Sequence, residues 1–203
     1  MSNNSGGLRI GCYALSITLA ASVGCSSRRI AAVKVFDPST LSQLADGDFA
    51  EGVAGKAPQR WLLGARPSNA YSAMVVAQAC HYGKQCAMVQ SKVAGSPPDG
   101  LAFLHQVVNA SAFRGKKFVF QASVRAEVSG TPNVARLLVR VHRENGESSF
   151  FDNMGEHPIT SKRWARYEIA GLISSDARDI EVGMQLAGVG IAWLDSASLN
   201  FSK

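Results

Sequence analysis

Charge is scarce in this sequence. Only 18% of its 203 residues are Asp, Glu, Lys or Arg, against 46% hydrophobic, which excludes a solvated, disordered chain and leaves apolar material for one globular domain plus an extension. Proline is also sparse, 7 residues spread along the chain among 19 glycines, which excludes collagen-like and proline-rich architectures. No repeat recurs at a solenoid period. There is no G-x-S-x-G elbow and no H-E-x-x-H, and GVGIAW and RGKK lack the strand-turn-helix setting of a phosphate loop. No apolar run reaches the roughly 20 residues that span a bilayer.

What is present begins with an address. MSNNSGGLR is polar with one cation, IGCYALSITLAASVG is uncharged and apolar, and CSSRR follows, the tripartite layout of a secretory signal. Ser22-Val23-Gly24-Cys25 resembles a bacterial lipobox, with Ser22 where an aliphatic residue is usual. The expectation is a signal over 1–24, lipidation at Cys25, a linker over 25–57 and a domain over 58–203. An ordinary secreted or membrane-tethered form is the first alternative, and a cytosolic protein with a buried N-terminal helix the last. The expected location is the bacterial cell envelope, with the membrane reached through the lipid anchor.

The chain has 4 cysteines. Cys12 lies in the apolar run and Cys25 at the lipidation point, while Cys80 and Cys86 bracket CHYGKQC. Two cysteines flanking a short segment with a central glycine fit paired strands closed by a turn, within disulfide range, and an oxidising envelope favours the bond. A zinc site needs about four ligands, and His81 alone is close by, so no metal and no cofactor are expected.

From Trp61 onward the hydrophobic period is two. In FVFQASVRAEV, Phe118, Phe120, Ala122, Val124, Ala126 and Val128 share one side. ARLLVRVHR places Ala135, Leu137, Val139 and Val141 inward and Arg136, Arg140 and His142 outward. DIEVGMQL sets Ile180, Val182, Met184 and Leu186 against Glu181 and Gln185. AYSAMVVAQA, QCAMVQSKV, LAFLHQVVNA, RYEIAGLI and IAWLDSASLNF are further candidates, separated by turn material. About nine strands with little helix argue for an all-β antiparallel sandwich, with a closed barrel as the alternative. Residues 26–57 hold no single period and read as a tether with some docking; LSQLADGDF suggests a helical turn ended at Gly47.

WLLG, LHQVVNASAFRGKKFVFQASVRAE, ARLLVRVHRENG, FFDNMGEHPI, WARYEI and IEVGMQLAGVGIAWLDSASLNF together resemble a bacterial galactose-binding-like jelly-roll domain. Such domains occur in proteins labelled AraC-type regulators and in stand-alone proteins of unknown function. The resemblance covers about Trp61 to Phe201. The chain departs from it at His142, where an aspartate is frequent, and in the close spacing of Trp164 and Tyr167. It implies a jelly-roll fold and a binding role, and it transfers no catalytic residue. No recognition helix is evident and an export signal points away from DNA, so nucleic acid is not an expected partner.

FFDNMGEHPI tests whether the chain is an enzyme. As structure, Asp152 and Asn153 bond a turn in which Gly155 takes positive φ and Pro158 restarts an extended segment. As chemistry, Asp152, Glu156 and His157 are a carboxylate pair with a base, but adjacency in a turn supplies neither a pocket nor a perturbed pKa. The structural reading is preferred, with ligand contact second. Binding candidates are Arg140 and His142 on a polar strand face, Asp152 and Asn153 in the turn, and Trp164 and Tyr167 as sugar-stacking aromatics. Trp193, in register with Ile191 and Leu199, is expected in the core. The expected function is a non-catalytic binding or accessory module, with a glycan or an envelope protein as partner. The rivals are an envelope glycan hydrolase and an assembly lipoprotein that docks another protein.

Overall fold

A computed structural model of the protein describes residues 41–92 and 99–202. The expected signal, Cys12 and the lipidation point Cys25 lie outside the described residues. Ten strands are present among the described residues: β1 Leu62–Arg66, β2 Tyr71–Val76, β3 Cys86–Ser91, β4 Leu101–Asn109, β5 Lys117–Val128, β6 Val134–Arg143, β7 Ser148–Asp152, β8 Ala165–Leu172, β9 Ala177–Ala187 and β10 Gly190–Ser202. They form two 5-stranded sheets, ordered β1-β4-β9-β6-β7 and β2-β3-β10-β5-β8, antiparallel at every pairing. The molecule is thus an all-β jelly-roll sandwich.

Alternation explains the layers. Leu104 and Val108 of β4, Leu137, Val139 and Val141 of β6, and Ile180, Val182 and Met184 of β9 are fully buried. They meet Phe118, Phe120 and Val124 of β5, and Ala192 and Leu194 of β10, in one core. Strands with one apolar face bury it by such stacking. The extra strand, β1, escapes the sequence pattern because it is a short edge with four of its five residues exposed, and edge strands carry little of the core's periodicity.

The segment expected as tether is, from Leu41 on, built into the sandwich. Phe49 is fully buried against Trp61, ring centroids 5.4 Å apart. The buried Gln106 amide accepts from the Ala45 N–H at 3.0 Å and donates to the Ala45 carbonyl at 2.5 Å. Ala197 N–H donates to the Gly47 carbonyl at 2.8 Å. A Cβ at Gly47 would stand 2.0 Å from the Ala197 carbonyl oxygen, so this approach requires glycine. The stretch forms turns instead of the expected helical turn, because its polar groups are spent on β4 and β10.

Trp193 corrects a second expectation. It stands opposite Arg125, while Leu199 stands opposite the core residue Phe120, and the register shifts between Asp195 and Ser198. Ser196, at φ 51, sits inside that bulge. The extra residue inverts the alternation, so Ile191 and Trp193 face outward and Leu199 inward. Trp193 is nevertheless only 7% exposed, because the Arg125 guanidinium lies 3.8 Å from its ring centroid.

Candidate ligand-binding site

The outward side of β4, β9, β6 and β7 gathers polar groups into rows. Because directly opposed residues share a face, Val107, Glu181, Arg140 and Phe151 form one row. His105, Gly183 and Leu138 form the next, then Phe103, Gln185 and Arg136. On the other side of the first row, Asp179 stands opposite His142. No single strand supplies this arrangement; the order β4-β9-β6-β7 does.

Gly183 shapes the middle. A Cβ there would lie 2.1 Å from the Leu104 carbonyl oxygen and 2.9 Å from the Phe103 ring, so glycine lets Phe103 lie across β9. The Phe103 ring also meets His105 at 4.5 Å. His105 Nδ1 reaches Glu181 Oε1 at 2.5 Å, and His142 Nδ1 reaches Asp179 Oδ1 at 2.6 Å. Arg140 lies over the Phe151 ring, 4.9 Å from its centroid, and Phe151 is 49% exposed. Burial pushes the Glu181 carboxyl up, but the hydrogen bond and charge of His105, with Arg140 and His142 nearby, outweigh it and hold the group below its ordinary value. The face therefore offers an accessible aromatic ring flanked by a guanidinium, an anchored carboxylate and imidazoles, which is the mixture that holds polyhydroxylated rings.

Of the residues expected from sequence, Arg140 and His142 share this face. Asp152 stands opposite the inward Val139, on the other side of β7, and its carboxylate accepts the Met154 N–H at 2.8 Å. Asn153 follows it in the same turn. The positive φ there belongs to Met154, at 53°, and not to Gly155. The segment beyond returns as an isolated bridge from Ile159 to Ala135, so FFDNMGEHPI is a turn that closes the edge of β6. Trp164 belongs to the other sheet, where its Nε1–H donates to the Ala79 carbonyl at 3.0 Å and its ring stacks on His81 at 5.5 Å. Tyr167 stands opposite Ala122 on the inner side of β8 and packs against the core, where burial raises its hydroxyl pKa. The six residues thus divide among four places. Sequence reasoning missed His105, Phe103 and Phe151. Alternation signalled Glu181 and Gln185 as outward, but nothing local told that β4 and β6 flank β9.

The Cys80–Cys86 disulfide is present, Cα atoms 5.5 Å apart. Its loop is tied down by the fully buried Asp195, which accepts the His81 and Tyr82 N–H groups at 2.8 and 3.0 Å. Beside it, on the outer face of the second sheet, a groove of about 450 Å³ is lined by Met74, Met88, Trp193 and Arg125. It is mostly apolar, and compares with about 250 Å³ for the cavity at Gly64, Leu101 and Phe103 on the first sheet. Among the described residues, no group of three or more His, Cys, Asp or Glu side chains is placed to hold a metal ion.

No family profile matches the chain. The uncharacterized HTH-type transcriptional regulator YbfP of Bacillus subtilis (strain 168) is 25% identical over 146 residues, covering 71% of this chain and 48% of that protein; the chain spans about half the length of this relative. Solved structures share the fold. The enzymatically active domain of tailspike protein 4 from bacteriophage CBA120 aligns over 81% of this chain and 22% of its own, at TM-score 0.62 and 11% identity. The CBM22-1 xylan-binding domain of Xyn10C from Paenibacillus barcinonensis aligns over 77% of this chain and 92% of its own, at 0.55 and 13%. TmCBM61, solved with β-1,4-galactotriose, aligns over 79% and 99%, at 0.52 and 14%.

Proposed function

We propose that this protein is a non-catalytic carbohydrate-binding module whose binding surface is the outer face of β4, β9, β6 and β7. The observation that carries this reading is the row Glu181, Arg140, Phe151, with His105 and His142 beside it. It unites an exposed ring for stacking with fixed donors and acceptors on rigid strands, so little entropy is lost on binding. The likeness to the xylan-binding domain and to the galactotriose complex supports it, since both cover nearly the whole of those modules. Ligand contact on this sheet is a matter of holding a sugar chain across strands.

The test is a glycan panel followed by titration calorimetry on Phe151→Ala. Phe151 is half exposed, so truncation leaves the fold intact and removes a stacking surface of about 0.5–1.5 kcal/mol. Affinity for the bound glycan is expected to fall about 2–10-fold with unchanged thermal stability. An unchanged affinity places the binding surface elsewhere.

A further inference from the structure

The two outer faces treat their cations differently. On the second sheet Arg166 donates to Gln121 at 2.8 Å, Gln121 in turn donates to Glu168 at 2.7 Å, and Arg125, whose Nε is also buried without a hydrogen-bond partner among the described residues, pairs with Glu127 through Nη1 at 3.4 Å. On the first sheet, among the described residues, His105 pairs with Glu181, His142 and Arg178 with Asp179, and Arg143, at the end of β6, with Asp176. The Glu181 and Asp179 carboxylates are thereby engaged, and they are 13% and 14% exposed. Arg136 and Arg140 are in none of these pairs. Arg140 rests on Phe151 and lowers the Glu181 pKa only through space, while Arg136 Nε is buried without a hydrogen-bond partner among the described residues. A guanidinium that is not matched by a carboxylate of its own fold presents a planar fork to one from outside.

Resting on the carbohydrate-binding reading, we infer that the ligand of this face is an acidic glycan, a chain carrying carboxylates such as a polyuronate. Arg136 and Arg140 are four residues apart on β6, about 13 Å at the backbone. Between them the Phe103 ring lies over Gly183, while Leu138 is covered at 2% exposed, so the apolar surface there is the Phe103 ring. An apolar floor between two unmatched cations fits an oligosaccharide whose ring faces rest on the middle while carboxylates on separate sugars reach the two forks. A monosaccharide reaches one fork at a time.

The experiment is calorimetry on the full chain with an oligogalacturonate and with xylohexaose of matched length, at low and high sodium chloride. The acidic chain is expected to bind about tenfold more tightly at low salt, with the preference shrinking as salt screens it. Arg136→Gln with Arg140→Gln is expected to bring the acidic-to-neutral ratio close to one. Lys116→Gln with Lys117→Gln, which changes net charge equally away from the face, is expected to leave the ratio in place. Equal or tighter binding of xylohexaose overturns the inference while the carbohydrate-binding reading stands. Loss of the preference in the lysine variant also overturns it, by showing attraction to overall charge. Binding of neither chain overturns the inference, and failure on a wider glycan panel as well defeats the carbohydrate reading.

Discussion

Glu181 links stability to pH at a single residue. Its folded pKa lies below the ordinary 4.5 because His105 and its neighbours overcome burial. A depressed carboxylate contributes stability that is present above the unfolded pKa and disappears as pH falls through the folded one. The loss therefore falls below about pH 4.5. Glu181→Gln is expected to lower the melting temperature at neutral pH and to flatten its decline below that value, as followed by circular dichroism. Asp176, also depressed, chiefly by its hydrogen bond with Arg143, keeps part of the acid limb in both proteins. A variant with the original slope would show that the His105 pair does not couple to folding. The outward placement of Glu181 was legible from alternation in DIEVGMQL. Its partner was not, since His105 lies 76 residues away and nothing local pairs them.

At the scale of elements, the disulfide loop and the bulge of β10 set the second sheet. The bond closes a short ring, Cys80 to Cys86, and constraining the unfolded chain over such a ring is worth about 2 kcal/mol. Cys80→Ala with Cys86→Ala is expected to lower the melting temperature by about 4–8 °C in a domain of this size, measured by calorimetry. Affinity at the first sheet is expected to stay unchanged, because the loop stands over the other sheet on Asp195 and Trp164. A large loss of glycan affinity would move the site to the loop. Cysteine spacing made this bond readable in advance. The bulge between Asp195 and Ser198 was not readable, as IAWLDSASLNF contains no glycine or proline to mark it, and with it went the orientation of Trp193.

For the whole molecule, the decisive fact is that the domain starts before its strands do. Phe49 under Trp61, Ala45 on Gln106 and Gly47 on Ala197 close the sandwich from a segment that has no periodicity. The full chain is expected to melt in a cooperative transition. A chain beginning at residue 58 loses these contacts, and Phe49 alone accounts for about 3–5 kcal/mol by analogy with Phe→Ala in cores, a large share of a domain's total. Its melting temperature is expected to fall sharply or the transition to vanish. Equal stability of the two would make the segment a mere appendage.

The sequence by itself determined the all-β class, the inward and outward sides of most strands, the turn character of FFDNMGEHPI and the cysteine pair, because period-two alternation, turn chemistry and short-range spacing are local properties. Tertiary structure alone decided which strands became neighbours, and therefore that Glu181, Arg140 and Phe151 share a row while Trp164 and Tyr167 stand elsewhere. It also decided the inversion at Trp193 and the capture of Phe49. The physical reason is the same throughout: a strand's pattern states which side faces apolar surroundings, whereas its neighbours and its shifts of register follow from how two whole sheets fill one core.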